Sequence, residues 1–406
     1  MPVLTATLPS RLTQPPPPVL TWSTHPERGS CDRIVRPDIH QSHRQRAAAP
    51  AFSIAAPDGH SGSAPSTPGA GKLASGTVVP GPGPAWFGAI MGTGGLSTLL
   101  QLHADAVPGF GAGTLVMLAL GWVMLIGLGL GFARSIACDP QEWSRSVRDA
   151  TMVPLWGMVA MGLMAVGAAT YVVTAARAPS LAAVAFGIDT AMWGAGTVLG
   201  LATAVGFAVW LITRRPDHPL PTWALPMVPP MVSATAGGVI AEQVSSDVIR
   251  SILVGACVVC FVLALTLGTT VIVLAYHHAW FRTPVPVALS TSTWIPLGIV
   301  GQSAAAAQVL SGPVLDDVAR VYSAIVLVAG AGLGAYAVLV TVRGFIARMP
   351  FNPGWWAMAY PLATCGLGSY FLGWQWASLV TVAVLVTIWL VCAVASIRAI
   401  AASRHA

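Results

Sequence analysis

From Pro84 to the C-terminus the sequence is a succession of ten apolar stretches, and none of them carries a charge at its centre. About 20 apolar residues suffice to cross the hydrocarbon core of a bilayer as a helix. The stretches, numbered here as spans one to ten, cover residues 84–103, 114–135, 152–174, 189–212, 222–241, 249–275, 286–309, 318–341, 355–372 and 376–398. The sequence therefore predicts a protein embedded in a lipid bilayer.

The composition agrees with this interpretation, because 55% of the residues are hydrophobic and only 8% are charged. In soluble domains about a quarter of the residues are charged. Only helices and closed barrels satisfy their backbone polar groups in hydrocarbon, and the alternating pattern of barrel strands is absent. We therefore predict an all-α polytopic membrane protein. The net charge of +6 does not indicate a nucleic-acid partner in so apolar a chain.

Residues 1–80 differ from the rest of the chain. They contain a run of four prolines from Pro15 to Pro18, a mixed segment of Arg, His and Asp, and then mostly Gly, Ser, Pro and Ala. Such a segment buries too little apolar surface to offset the entropy lost on ordering. The sequence therefore predicts a disordered cytoplasmic tail over residues 1–80 and a ten-helix transmembrane domain over residues 81–406.

The distribution of positive charge predicts how the spans are oriented. Cytoplasmic connections of membrane proteins are enriched in Lys and Arg. With a cytoplasmic N-terminus, only Arg177, Arg250 and Arg320 of the 20 basic residues fall on the outer face. We therefore predict a multi-pass protein of the cell membrane, either a plasma or a bacterial inner membrane, with both termini in the cytoplasm.

The connection between spans two and three carries the signals of a short helix. Asp139 is a suitable N-cap, Pro140 suits the first helical position, and Glu142 lies in the first turn, where it opposes the helix dipole. We expect a short interfacial helix that leads into span three.

Prolines inside the spans occur only in the odd-numbered ones. An interior proline removes a backbone hydrogen bond and kinks the helix, which a membrane tolerates where protein or water satisfies the freed groups. One proline of each odd span recurs at a spacing of 65–72 residues, about one helical hairpin: Pro84, Pro154, Pro226, Pro296 and Pro361. This pattern predicts five helical hairpins, with kinked odd helices inside and even helices outside.

Uncharged polar residues are concentrated in the same odd spans. Small polar residues often mediate close helix contacts, but on five inner helices they could instead line a narrow pathway that solvates an ion. The candidate pore-lining residues are Thr93, Ser97, Pro154, Pro226, Thr291, Pro296, Pro361 and Thr364. No carboxylate lies at mid-membrane in these spans, so an anion or a neutral solute fits better than a cation.

The remaining titratable groups are placed by the pattern at the ends of the spans. His103, Asp189 and Glu242 map to the outer face, and His277 and His278 map to the inner face. The chain has no HExxH or GxSxG motif and no carboxylate pair within a span. We therefore predict no catalytic residue, no metal and no cofactor.

Two segments carry a resemblance to a known family. The sequence PAWFGAIMGTG at residues 84–94 and the sequence FNPGWWAMAYP at residues 351–361 resemble the segments that open the first and ninth helices of the tellurite-resistance/dicarboxylate transporter family. The segment MVPPMV in span five is compatible with it. That family includes tellurite-resistance proteins, yeast malate permeases, fungal sulfite pumps and the slow anion channels of plant guard cells.

The resemblance implies five helical hairpins around a central pore, assembled as a homotrimer with one pore in each subunit. In the family an aromatic residue, generally phenylalanine, precedes the proline of the ninth helix and occludes the pore. The corresponding residue here is Tyr360, which keeps the bulk and adds a hydroxyl group. The resemblance thus makes Tyr360 the expected pore gate.

Three functions are consistent with these observations. The leading hypothesis is a passive or weakly coupled permease for a small anion, such as a C4-dicarboxylate, sulfite, a tellurite-related oxyanion or a halide. The second is a proton-coupled dicarboxylate carrier that uses His103 or the pair His277 and His278. The third is a membrane sensor that transports nothing and whose tail binds a partner.

Overall fold

The computed structural model describes residues 81–149, 151–214 and 219–404, which form eleven α-helices and several short 3₁₀ turns. No strand occurs within these ranges, and the predicted tail over residues 1–80 lies outside them. The helices are α1 (Phe87–Leu102), α2 (Phe110–Cys138), α3 (Pro140–Arg148), α4 (Trp156–Arg177), α5 (Ala182–Arg214), α6 (Pro229–Glu242), α7 (Asp247–Phe281), α8 (Ile295–Leu310), α9 (Gly312–Ile346), α10 (Ala359–Phe371) and α11 (Gln375–Arg404).

Helix α3 is the short helix that the sequence predicts between spans two and three. The Asp139 side chain accepts a hydrogen bond from the backbone N–H of Gln141 at 2.9 Å, Pro140 occupies the first turn, and Glu142 lies in that turn as well. Arg145 lies 3.1 Å from Asp139 and 3.3 Å from Glu142. The prediction of a capped helix at this point is confirmed.

Burial alternates along the chain. Helices α1, α4, α6, α8 and α10 are largely buried, and we call them the inner helices. Helices α2, α5, α7, α9 and α11, the outer helices, bury few of their apolar side chains and carry most of the exposed large ones. In the most apolar part of each segment, 89% of the residues are buried in Pro221–Glu242, which contains α6, but only 6% in α2. Such exposed apolar faces suit hydrocarbon rather than water.

The helices make a regular set of contacts. Each inner helix packs on the outer helix that follows it, from α1 with α2 to α10 with α11. The inner helices also contact one another in a closed series, from α1 through α4, α6, α8 and α10 back to α1. Each inner helix therefore has two inner neighbours.

Seven helical segments in the described ranges are long and apolar enough to cross a membrane, and they contain α2, α4, α5, α6, α7, α9 and α11. The other three inner helices are short, with 16 residues in α1, 16 in α8 and 13 in α10. Each of these three continues a 3₁₀ turn: Pro84–Trp86, Val287–Trp294 and Pro353–Met358 respectively.

The prolines of the inner spans lie where 3₁₀ turns meet α-helices, so the predicted kinks stay a prediction. Pro154 and Pro226 lie in the 3₁₀ turns that precede α4 and α6, while Pro296 and Pro361 lie in the first turns of α8 and α10. A proline is tolerated in the first turn of an α-helix, where the missing N–H would have no α-helical partner. The prolines therefore mark where the inner α-helices begin.

The two segments that carry the family resemblance pack against each other. A Cβ atom at Gly92 of α1 would lie 2.7 Å from the Cβ of Ala359 in α10, so only glycine allows this approach without a shift. Beside this contact, the rings of Trp86 and Phe351 lie 6.4 Å apart. Small residues thus let the first and last inner helices approach closely.

Candidate transport site

A cavity of about 240 Å³ lies among the inner helices. Its lining residues on α1, α4 and α6 belong mainly to the C-terminal halves of those helices, and the cavity extends to α8 and α10. The polar lining residues are Thr98, Tyr171, Asp189, Thr235, Glu242, Gln302, Tyr360 and Thr364. The other lining residues are apolar, apart from Gly95.

Tyr360 borders this cavity and touches two neighbouring inner helices. Its hydroxyl oxygen accepts a hydrogen bond from Nε2 of Gln302 in α8 at 3.3 Å. On the other side, a Cβ atom built on Gly95 of α1 would lie 3.6 Å from Cδ2 of the Tyr360 ring. The side chain is only 5% exposed. The ring of Tyr360 therefore lies between α1 and α8.

Thr364, one turn after Tyr360, also lines the cavity. Its hydroxyl group donates to the carbonyl oxygen of Pro361 at 2.7 Å and lies 3.3 Å from that of Leu297. The structure thus brings two of the predicted site residues, Tyr360 and Thr364, to one cavity.

Thr93 and Ser97 contact outer helices instead. The Thr93 hydroxyl group accepts from the indole N–H of Trp389 in α11 at 2.9 Å and donates to its own helix. The Ser97 hydroxyl group donates to the carbonyl oxygen of Thr114 in α2 at 2.9 Å. Both side chains are fully buried and hydrogen-bonded in helix contacts.

The remaining candidates lie near the N-terminal ends of the inner helices. Thr291 donates to the carbonyl oxygen of Gly354 at 3.0 Å and so joins the 3₁₀ turns that precede α8 and α10. Neither Thr291 nor any of the four candidate prolines (Pro154, Pro226, Pro296 and Pro361) is among the cavity-lining residues. Their contribution to a longer pathway stays a prediction.

Asp189 is a site residue that the sequence analysis misplaced. We expected it at the outer end of span four, but α5 begins seven residues earlier at Ala182, and Asp189 is 3% exposed and lines the cavity. The charge was interpreted as a boundary, although apolar residues lie on both sides of it. That position inside an apolar run was the signal for a functional carboxylate.

The histidines lie elsewhere. Nε2 of His103 is hydrogen-bonded to Oγ of Ser378 in α11 at 2.8 Å, and the imidazole packs on the edge of Tyr370. His277 and His278 lie in the last turns of α7, an outer helix. None of these three residues lines the cavity.

The cavity is suited to bind a small polar solute through hydrogen bonds. Hydroxyl groups come from its threonines and tyrosines, and the described part of the chain contributes neither Lys nor Arg to its lining. Over the described ranges, no group of three or more His, Cys, Asp or Glu residues is placed to hold a metal ion. Hydroxyl groups and amides that replace hydration water are the groups by which channels and transporters select solutes.

Buried inner helices around a polar-lined cavity, surrounded by apolar outer helices, define a multi-pass membrane transport protein. A comparison with known protein families identifies one of them: residues 83–397 match the family described as SLAC1, voltage-dependent anion channel. This chain belongs to that family, and the resemblance found in the sequence is confirmed. Its function is therefore the transport of an anion across a membrane.

Curated relatives share most of their length with this chain. The protein named sulfite efflux pump SSU1 in Arthroderma otae is 25% identical over 311 residues, which cover 71% of this chain and 82% of the relative. Proteins of the same name in Arthroderma benhamiae and Trichophyton rubrum are each 24% identical over 312 residues, with the same coverage.

Proposed function

We propose that the protein conducts a small anion through the ring of inner helices and that Tyr360 closes the path. The position of the Tyr360 ring between α1 and α8 is the observation that carries this proposal. An aromatic ring at this point blocks the path by its volume and presents a barrier where the ion loses water. The names of the relatives favour sulfite among the candidate anions, which also include C4-dicarboxylates, tellurite-related oxyanions and halides.

The proposal includes ten crossings of the membrane as five hairpins around a central pore. A 3₁₀ turn rises about 2.0 Å per residue and an α-helix about 1.5 Å. By these values residues 84–102 extend about 30 Å, residues 353–371 about 32 Å and residues 287–310 about 40 Å. The hydrocarbon core is about 30 Å thick. The three short inner helices therefore reach across when their 3₁₀ turns are included.

We place both termini in the cytoplasm of a cell whose plasma or inner membrane holds the protein. This orientation is supported by the concentration of Lys and Arg on one side of the spans. Each inner helix then runs from the cytoplasm outward, and the cavity, lined mainly by the C-terminal halves of α1, α4 and α6, lies toward the outer face.

A homotrimer with one path in each subunit is proposed from the family resemblance. The exposed apolar side chains of the outer helices provide surface for such contacts as well as for lipid. The mass of the protein in native detergent micelles tests the assembly, and a monomeric mass would exclude the trimer.

Purified full-length protein in liposomes tests the function. Sulfite, malate, tellurite and chloride are compared by tracer flux and, where currents are measurable, by reversal potential. The proposal expects flux of at least one of these anions above protein-free liposomes and none for potassium. Absence of flux for every anion would overturn it and favour the sensor hypothesis.

The same liposomes distinguish a passive channel from a proton-coupled dicarboxylate carrier. A pH gradient imposed without an anion gradient drives net malate uptake only in a coupled carrier. A passive permease brings the anion only to its electrochemical equilibrium, so malate does not accumulate beyond the concentration ratio set by the membrane potential.

A further inference from the structure

A buried carboxylate shares the cavity with Tyr360. Asp189 is the eighth residue of α5, which places it about 10 Å along the helix axis from the helix start. Of the described residues that line the cavity, it alone belongs to an outer helix. Ionisable residues within membrane helices that face a cavity usually serve a transport function.

Asp189 has no hydrogen-bond partner within the described part of the chain, and its Oδ1 atom is buried. Its neighbour on α4 is Gly167, where a Cβ atom would lie 3.0 Å from Oδ1. Glycine offers no side chain that could donate to the carboxylate. A buried charge without donors or a counter-ion is strongly unfavourable, and binding a proton removes it.

Among the residues that the structure describes, none supplies a positive charge beside Asp189. The titratable residues that share the cavity are Tyr171 of α4, Glu242 of α6 and Tyr360 of α10. Arg177, at the end of α4, donates to the side-chain oxygen of Gln101 at 3.1 Å. The 3₁₀ turns that pack on α5 (Val153–Leu155, Pro179–Leu181 and Pro221–Met227) carry no titratable side chain.

An ionised Asp189 would therefore repel an anion that enters this cavity. Like charges repel more strongly where protein and lipid replace water. A protonated carboxyl group has no charge and gains an O–H donor. The same residue thus opposes the anion in one state and can bind it in the other.

We propose that Asp189 is a proton-binding site that controls occupancy of the cavity by an oxyanion. A proton from the aqueous phase at the cavity mouth binds the carboxylate, the neutral carboxyl group donates a hydrogen bond to the anion, and no bond within the anion breaks. This inference rests on the proposed anion path, and it assigns the proton to Asp189 rather than to His103, His277 or His278.

The test is the pH dependence of nitrate flux in liposomes, because nitrate keeps the same charge between pH 5 and pH 8. Full-length wild-type protein is compared with Asp189→Asn, and pH is changed at the cavity mouth only. We expect wild-type flux to rise as pH falls, by up to about tenfold per pH unit, the slope for one proton. Asp189→Asn mimics the protonated charge state, so its flux should be high and independent of pH.

Two further variants test whether the pH dependence comes from Asp189 or from another carboxylate. Asp317→Asn removes an exposed carboxylate of α9 and should keep the wild-type pH dependence. Glu242→Gln removes the other carboxylate of the cavity and should also keep it. If Glu242→Gln abolishes the dependence while Asp189→Asn retains it, the assignment to Asp189 is overturned.

Folding of each variant is measured separately from its flux. Size-exclusion chromatography gives the folded fraction, and Asp189→Ser is the second neutral variant if the asparagine variant is unstable. Unchanged pH dependence in a folded neutral variant would overturn this inference and leave the anion path intact. If the wild type carries no anion at any pH, the proposed function fails and this inference fails with it.

Discussion

Tyr360 contacts two inner helices through different parts of one side chain, its ring at Gly95 and its hydroxyl group at Gln302. Tyr360→Ala should therefore open the path. Lowering a barrier by about 1.4 kcal/mol raises a rate about tenfold, so we expect at least that increase in anion flux per folded molecule. Tracer flux in liposomes, normalised to folded protein, measures it.

The competing explanation is that Tyr360 only fills space. In that case Tyr360→Ala leaves a cavity that costs about 3–5 kcal/mol of stability, and flux per folded molecule stays the same or falls. Tyr360→Phe keeps the ring and should stay near wild-type flux, while its loss of the bond to Gln302 costs about 1–3 kcal/mol. Trp355→Ala is the matched control, because Trp355 packs on Phe345 and Phe351 away from the cavity.

The sequence predicted some site residues and missed others for a physical reason. Membership of a polar inner helix does not determine which way a side chain points around that helix. Thr364 points to the cavity, whereas Thr93 meets the indole of Trp389. Asp189 was missed because it lies on an outer helix, which we expected to contribute nothing to the path.

The close packing of α8 against α10 depends on Gly301 of α8. A Cβ atom there would overlap the backbone of Thr364 and Cys365 in α10, which cannot move aside as a flexible side chain can. Gly301→Ala should therefore destabilise the protein by about 1–3 kcal/mol or more through overpacking. The unfolding temperature in detergent measures the loss.

Gly332 of α9 provides the matched control, since a Cβ atom there would meet no atom within 4 Å. Alanine is favoured over glycine in a helix by about 0.5–1 kcal/mol, so Gly332→Ala should leave stability unchanged or slightly higher. Equal unfolding temperatures for the two variants would contradict the close approach of α8 and α10.

At the level of elements, the periodicity of proline identified the inner helices, but it did not reveal their internal structure. The spacing predicts the position of each inner helix correctly, because among the described outer helices the only proline is Pro313, the second residue of α9. Whether a proline kinks a helix or starts one depends on where the α-helical hydrogen bonds begin. Tertiary contacts that a single sequence does not reveal, such as the hydrogen bond from Thr291 to Gly354, join the 3₁₀ turns that precede α8 and α10.

For the whole molecule, the orientation leads to a labelling test. On a cysteine-free background, a cysteine at Asp317 should react with a membrane-impermeant maleimide added outside intact cells, because Asp317 is exposed on the proposed outer face. A cysteine at Arg145, exposed in α3, should react only after the membrane is permeabilised. The reverse accessibility would place both termini outside.

The closed series of inner helices limits how the molecule can move. Many carriers alternate access by rocking one structural repeat against a second repeat around a fixed site. Five helix pairs cannot divide into two equal rigid bodies. The series of contacts also returns from α10 to α1, so every pair of neighbouring inner helices is in contact and no interface is left open for two halves to separate. Exposure of the cavity to either side then has to come from motions of side chains or of one helix pair. Rotamer changes of exposed side chains take picoseconds to nanoseconds, whereas helix shifts and domain movements take microseconds to milliseconds.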